Sequence, residues 1–162
     1  MIISDSSTLI LLAKTGILEA FLEKNQLTIP EKVYEESVVR GKKRGLIDSY
    51  LIGSFVNKSR IKIKKADEKS KDTIEKLFGI RGGENETVAL ATRGDLILTD
   101  DKKCINVCKT LKLDFAISAD VVVVLYKKGR ISKEKMIIAF NRLERISRLK
   151  KELIDKRRRE CE

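Results

Sequence analysis

Carboxylates follow two apolar runs of this sequence at the point where each run ends. Asp5 comes directly after residues 2–4, and Asp100 and Asp101 come after residues 96–99. Open α/β sheets bind ligands at the carboxyl ends of their parallel strands, so we expect Asp5 and Asp100 to lie close together. Each acid also has a structural alternative, because a carboxylate at this position caps the following helix or stabilises its dipole.

Two glutamates lie within helical patterns and face the same core edge. Glu36 stands three residues after Val33 on the apolar face of its helix, where a carboxylate needs a partner. Glu84 follows a pair of glycines and shares its side of the helix with Thr87. Glu86 points about half a turn away and is interpreted as a surface acid. The structural alternatives are a salt bridge to a lysine for Glu36 and a helix-dipole contact for Glu84.

A cluster of these acids would need protons or a cation, because several carboxylates in one cleft repel one another. The sequence contains no histidine, which excludes Ser-His-Asp triads, histidine general bases and histidine-containing zinc sites. Oxygen ligands without histidine or thiolate favour a hard ion, Mg²⁺ or Mn²⁺. Such an ion activates water and neutralises phosphate charge. With a basic surface around the acids, a phosphodiester backbone is the natural substrate.

The composition bounds the class of protein and of partner. The chain has 162 residues, of which 42% are apolar and 36% charged, and its formal net charge is +11. The length and the apolar fraction fit one globular domain. The positive charge favours a polyanion, either nucleic acid or a membrane surface. Base stacking should contribute little to binding, because aromatic residues make up 5% of the chain and tryptophan is absent.

Three cysteines, Cys104, Cys108 and Cys161, are too few for a disulfide framework. The first two stand four residues apart, which predicts that they share the buried face of one helix. The sequence has no basic leader segment and no apolar run long enough to span a bilayer. We therefore expect a protein of the reducing cytoplasm without a membrane partner.

Short apolar runs alternate with amphipathic stretches, which predicts βαβ units and an α/β fold with a mainly parallel central sheet. The predicted strands are residues 1–4, 27–29, 96–99 and 115–118, with an edge strand at 61–65. The predicted helices are residues 7–13, 17–23, 31–40, 46–52, 69–77, 84–93, 102–109 and 119–127. Residues 121–124 are all valine and are equally typical of a strand.

The segment after Ser132 carries apolar residues at intervals of three and four from Met136 to Leu153. This spacing predicts one long amphipathic helix. The chain therefore divides into residues 1–130 and a helical extension at 131–162, packed on the same domain or on a partner. The basic cluster at 156–159 is interpreted as a solvated helix end, with an anion contact as the alternative.

Four strings, IISDSSTLILLAKTG, IPEKVYEES, GGENETVALA and LILTDDKKC, occur in this order over residues 1 to about 125. Together they resemble PIN-domain proteins, particularly the small prokaryotic proteins related to VapC-type toxin ribonucleases. The resemblance implies a three-layer α/β/α fold with an acidic pocket that binds Mg²⁺ or Mn²⁺. It also implies endonucleolytic cleavage of single-stranded RNA, and a role as the toxin of a toxin–antitoxin pair.

The resemblance assigns the catalytic and metal-binding acids and their polar supports. The acids are Asp5, Glu36, Glu84 and Asp100, with Asp101 as a fifth metal ligand, and the supports are Ser7 and Thr99. Toxin-type members more often carry aspartate at the third position, and alignment of residues 88–91 selects Glu84 over Glu86. Basic residues near the mouth of the pocket would hold the RNA backbone. The candidates are Arg40, Lys42, Lys43, Arg44 and Arg81.

The sequence leaves alternatives for the function of the acids and for the partner of the C-terminal segment. A binding protein without catalysis, in which the acids are only helix caps, remains the alternative to the nuclease. An antitoxin-like protein or a second copy of the chain would suit the C-terminal apolar stripe if it were exposed. A phosphatase of the haloacid dehalogenase type is disfavoured because Ser7 stands where that family needs a second aspartate.

Overall fold

The computed structural model describes residues 1–162. Five strands form one sheet: β1 (Ile2–Ser4), β2 (Leu27–Pro30), β3 (Ile61–Lys64), β4 (Leu96–Leu98) and β5 (Asp114–Ala116). All neighbouring strands are parallel, in the order β3-β2-β1-β4-β5. The predicted α/β class with a parallel sheet is confirmed, and the isolated alternating segment is the edge strand β3.

Helices connect the strands and cover the sheet. They are α1 (Ser6–Lys14), α2 (Leu18–Leu22), α3 (Glu31–Tyr34), α4 (Arg40–Lys43), α5 (Ile47–Asn57), α6 (Glu68–Phe78), α7 (Gly82–Leu90), α8 (Lys102–Leu111), α9 (Ser118–Lys127), α10 (Lys133–Ile146) and α11 (Lys151–Arg159). A π-helical turn at Glu35–Val39 joins α3 to α4, within the helix predicted at 31–40. None of the helices has both the length and the apolar composition needed to cross a bilayer.

The core has two parts, one on each face of the sheet. Leu98 belongs to the larger cluster, with side chains of α1, α2, α5 and α9, whereas its neighbour Ile97 belongs to a smaller cluster with α7 and α8. Adjacent residues of a strand point to opposite faces, so both faces are covered and the fold has three layers. Cys104 and Cys108 are fully buried in the smaller cluster, as predicted.

The strand order reverses between β1 and β4. From β1 the chain builds outward through β2 and β3, and then returns to the other side of β1 for β4 and β5. Connections that diverge in this way leave a crevice at the carboxyl ends of the two strands. Ser4 pairs in register with Leu98, so the residues that follow the two strands emerge side by side. The fold thereby brings Asp5 and Thr99 together.

The C-terminal segment forms two helices, and the prediction of one long helix is wrong. Helix α10 ends at Ile146, and residues 147–150 separate it from α11. Ser147 has an extended backbone, and its hydroxyl oxygen accepts the backbone N–H of Leu149 (3.3 Å). Both helices contact α9, and the fully buried Phe140 and Ile154 belong to the larger core cluster. Much of the apolar stripe therefore packs on the chain's own domain, whereas Ile137 and Ile146 remain exposed.

Candidate active site

Asp5 lies at the carboxyl end of β1 with 1% of its surface exposed. Its Oδ1 accepts the backbone N–H of Thr8 (2.8 Å), which makes Asp5 the N-cap of α1. Its Oδ2 accepts the hydroxyl of Thr99 (2.5 Å). Burial raises the pKa of Asp5 above its usual range, and the hydrogen bonds from Thr99 and Thr8 offset only part of that rise. A cation bound nearby would oppose this rise.

Asp100 and Asp101 follow β4 and hold two different helices. Asp101 is the N-cap of α8 and accepts the backbone N–H of Cys104 (2.7 Å). Asp100 accepts both the backbone N–H and the hydroxyl of Ser118 (2.6 Å each), at the start of α9. The structural alternative that made Asp100 the cap of its own helix is therefore wrong. Burial raises the pKa of Asp100, and the hydrogen bonds from Ser118 offset part of the rise. The charges of Asp5 and Asp120 raise it slightly further.

Glu36 belongs to the π-helical turn, a local structure that often occurs at functional sites. Its Oε2 accepts the hydroxyl of Ser6, the first residue of α1. Gly83 makes this arrangement feasible, because a Cβ at position 83 would lie 2.8 Å from Glu36 Oε2 and 3.0 Å from Ser6 Oγ. The preceding Gly82 has a φ of +65°, which favours glycine. The glycine pair thus lets α7 begin against the Glu36 carboxylate.

Glu84, in the first turn of α7, forms no hydrogen bond and no ion pair. Burial is the main cause that raises its pKa, and the negative charges of Asp101, Asp5 and Glu36 raise it further, while Arg148 lowers it. Glu84 is therefore the acid that faces the other carboxylates. Two residues on, Glu86 accepts the backbone N–H of residue 32 (3.1 Å) and pairs with Lys71.

The orientation of Glu86 agrees with the prediction, but its exposure to solvent does not. Its side chain points away from the other acids, as predicted. It is only 16% exposed, however, so the interpretation as a surface acid is wrong. The reason is that its carboxylate satisfies a backbone donor in the first turn of α3.

Two adjoining cavities are lined by Glu36, Glu84, Asp100 and Asp101, whereas the buried Asp5 lines neither of them. The larger acidic cavity, about 260 Å³, is lined by Glu84, Asp100 and Asp101 together with Lys14 and Arg148. The smaller acidic cavity, about 100 Å³, is lined by Glu36, Glu84, Ser6 and Arg81. Ser7 and Glu84 line both cavities, so the two form one acidic cleft at the carboxyl ends of β1 and β4. A separate cavity of about 380 Å³ is lined mainly by apolar residues of α2 and α9 and by one acid, Asp120.

The predicted RNA-binding residues are distributed unevenly around this cleft. Arg81 lines the smaller cavity, where its side chain is 80% exposed and pairs with Glu75 (2.7 Å). Arg40 pairs with Glu35 on the outer side of the π turn, and the ammonium group of Lys42 lies over the ring of Tyr50. Neither of these residues lines an acidic cavity, and the same holds for Lys43 and Arg44.

The acids fit a hard divalent cation in donor type but are not assembled around one point. No three carboxylates lie close enough to one another to hold a single ion. Several of their oxygens nevertheless accept no hydrogen bond, namely both oxygens of Glu84, Oε1 of Glu36 and Oδ2 of Asp101. Such oxygens are the ligands that Mg²⁺ and Mn²⁺ prefer. The cleft therefore offers suitable ligands, of which Glu84 is the least restrained.

Several residues of the site were not predicted from the sequence. Ser6 binds Glu36, whereas the predicted support Ser7 forms no hydrogen bond and lines both cavities. Ser118, which holds Asp100, follows the fifth strand and is a recognisable N-terminal helix residue, so its position could have indicated a contact with the edge of the sheet. The cations Lys14 and Arg148 gave no signal, because they stand far from the acids in sequence.

Comparison with known proteins gives one match. A family model described as a PIN domain matches residues 1–162. The match includes the C-terminal helices α10 and α11, beyond the four strings that carry the resemblance. Neither the curated proteins nor the solved structures contain a match.

Proposed function

Because this chain belongs to the PIN-domain family, whose members are generally nucleases, we propose that it is a divalent-metal-dependent endoribonuclease that cleaves single-stranded RNA. The observation that carries the proposal is the position of Glu84. This carboxylate has no partner in the protein and shares one cavity with Asp101 and the other with Glu36. Burial raises its pKa, and the negative charges of these two acids and of Asp5 raise it further. Such an arrangement is costly without a bound cation, and it lies at the strand ends where α/β folds bind ligands.

Glu84, Glu36 and Asp101 would hold the ion, since each has an oxygen that accepts no hydrogen bond. Asp5 and Asp100 would complete the negative site, and their neighbours Thr99 and Ser118 fix their orientation. A bound Mg²⁺ or Mn²⁺ ion would supply charge neutralisation at the phosphate and the ionisation of water. The protein's own part is to orient the carboxylates and to shield them partly from solvent, and the charge of the cation would offset the rise in their pKa that burial causes.

RNA is the substrate class that the charge of the protein supports. The acidic cleft by itself would repel a polyanion, but the chain has a net charge of +11, and Lys14, Arg81 and Arg148 line the cleft. Phosphate contacts of this kind supply affinity without sequence information. With few aromatic residues for base stacking, we expect weak discrimination among RNA sequences.

A toxin role would add a protein partner to this activity. Its support is the resemblance of residues 1 to about 125 to VapC-type toxins. Met136, Phe140 and Leu143 of the C-terminal apolar stripe are buried, whereas Ile137 and Ile146 are exposed. An antitoxin-like protein or a second copy would bind the exposed part of this stripe or another face of the protein.

The second candidate function is RNA binding without cleavage. Two observations favour it: no three carboxylates already surround one point, and Asp5 and Asp101 both cap helices. In this case the acids would be structural, and added metal would neither stabilise the protein nor cause cleavage of the RNA.

The test is cleavage of a labelled single-stranded RNA by the wild type and by Asp5→Asn, each with Mn²⁺, Mg²⁺ or EDTA. The variant keeps the fold, because the asparagine oxygen still caps α1 and the Thr99 hydroxyl can accept a hydrogen bond from the amide. We expect cleavage that requires metal and disappears in the variant. Equal cleavage by both proteins, or none by either, contradicts the nuclease.

A further inference from the structure

The break between α10 and α11 is not explained by the local sequence. Apolar residues continue at helical spacing across it, and residues 147–150 contain neither glycine nor proline. Its consequence is visible in the tertiary structure, where Ile146, Ser147 and Arg148 form part of the wall of the larger acidic cavity. The break thus places one cation of the C-terminal segment beside the acids.

Arg148 is an arginine without a protein partner. It forms no ion pair within 4.0 Å and no hydrogen bond, although Glu84, Asp100 and Asp101 line the same cavity. Its charge still acts there, since it opposes the rise in the pKa of Glu84. Arg157 and Arg158 on α11 are different, because their guanidinium groups pair with carboxylates. Arg148 is therefore free to bind an anion.

The larger acidic cavity consequently carries charges of both signs. Three carboxylates line it together with the unpaired cations Lys14 and Arg148. A ligand that suits both kinds of group carries negative charge itself and is bound together with a cation. A phosphodiester has this chemistry, and the planar guanidinium group can donate two hydrogen bonds to its non-bridging oxygens.

We propose that Arg148 binds a backbone phosphate of the RNA next to the carboxylate cluster and so positions the RNA strand for cleavage. The inference rests on the proposed function for its choice of RNA. It assigns a substrate-binding role to the C-terminal segment, which the resemblance of the first 125 or so residues does not address. The same segment both completes the core and supplies a wall of the cleft.

The test is the affinity of a fluorescently labelled single-stranded RNA for full-length protein carrying Asp5→Asn, which prevents loss of the RNA by cleavage. Arg148→Ala, Arg148→Lys and Arg145→Ala are compared in this background, with Mg²⁺ present, over a series of NaCl concentrations. Arg145 is the matched control, because it is an exposed arginine at the end of α10 that lines neither acidic cavity. None of these side chains pairs with another residue, so the melting temperatures should agree.

We expect Arg148→Ala to weaken binding roughly 10-fold, the usual range for one charge-assisted hydrogen bond to phosphate. The slope of log Kd against log salt should fall by about 0.7, the value for one phosphate contact on a single strand. Arg148→Lys should restore part of the affinity, and Arg145→Ala should stay near the parent. Equal losses for Arg145→Ala and Arg148→Ala, or tighter binding by Arg148→Ala, overturn the proposal.

This measurement is independent of the proposed function, because it reads binding. If the wild type fails to cleave RNA while the Arg148 effect on affinity and salt slope is found, the nuclease assignment fails and the Arg148 assignment stands. If the wild type cleaves RNA and Arg148→Ala changes neither the affinity nor the salt slope, the nuclease assignment stands and the Arg148 assignment fails.

Discussion

Replacing Gly83 by alanine should displace the carboxylate of Glu36. The added Cβ would lie 2.8 Å from Glu36 Oε2, 3.0 Å from Ser6 Oγ and 3.0 Å from Val33 Cγ2. Val33 is fully buried in the core and has little room to move. The Glu36 carboxylate is the end of a flexible side chain, so it moves first and loses the hydrogen bond from Ser6.

The stability cost of this change is small compared with its expected effect on activity. Alanine gains about 0.5–1 kcal/mol over glycine in a helix, and overpacking costs roughly 1–3 kcal/mol, so the net loss is at most about 2.5 kcal/mol. The protein should therefore still fold. A displacement of about 1 Å at a reacting site typically costs roughly 100-fold in rate, which is the loss of kcat/KM that we expect.

The assay is kcat/KM for a labelled RNA with Mn²⁺, together with urea unfolding of the same samples. Gly53→Ala is the control for an added methyl group, because its Cβ on α5 would lie 3.0 Å from Nζ of Lys42 and 3.2 Å from Cγ1 of Val38 in the π turn. The flexible lysine can turn away, the approach to Val38 is milder than the 2.8 Å approach to Glu36, and no carboxylate of the site is touched. If Gly83→Ala cleaves RNA as fast as Gly53→Ala, cleavage does not depend on the position of the Glu36 carboxylate, contrary to this prediction.

Three further variants test other parts of the structure. Glu84→Gln should raise the free energy of unfolding at pH 7 without metal by at most about 1 kcal/mol, since the side chain is partly exposed and its charge is screened by solvent. Burial and neighbouring acids raise the pKa of Glu84, so protonated Glu84 stabilises the folded wild type at low pH, and this stabilisation is lost as the pH rises through that pKa. The higher stability of Glu84→Gln over the wild type should therefore vanish below about pH 4 in denaturant titrations. Thr99→Val should lower the free energy of unfolding by roughly 1–3 kcal/mol, because it leaves the buried Asp5 Oδ2 without its donor; an unchanged urea midpoint would contradict the contact. Arg157→Met should cost about 1 kcal/mol by removing the ion pair to Asp120 and leave RNA cleavage unchanged; loss of cleavage would show that the basic helix end binds substrate.

The sheet and the approximate place of the acids were predictable from the sequence. Apolar runs at residues 2–4 and 96–98 are short and are each followed by an acid, and parallel strands bring such ends to one edge. The four valines at 121–124 were ambiguous, because β-branched residues favour strands. They form helix α9, since its inner face is buried against the core and Asp120 accepts the backbone N–H of Ile117 at its start. Tertiary burial decides such cases.

Other features depend on contacts between distant residues and have no local signal. The π turn that carries Glu36 packs against α1 and α5, and the break before Arg148 occurs inside an unbroken apolar pattern. The hydrogen bond from Ser6 to Glu36 joins residues 30 positions apart. Spacing along the chain therefore located the acids but not the side chains that orient them or the cations that face them.

The most direct test of the account compares Glu84→Gln with Glu86→Gln in Mn²⁺-dependent cleavage of a labelled single-stranded RNA. Both substitutions remove one carboxylate from the same helix, but only Glu84 faces the other acids, whereas Glu86 pairs with Lys71. We expect Glu84→Gln to abolish cleavage and Glu86→Gln to retain it. Full activity of Glu84→Gln would contradict the claim that the acidic cleft at the ends of β1 and β4 is the site of RNA hydrolysis.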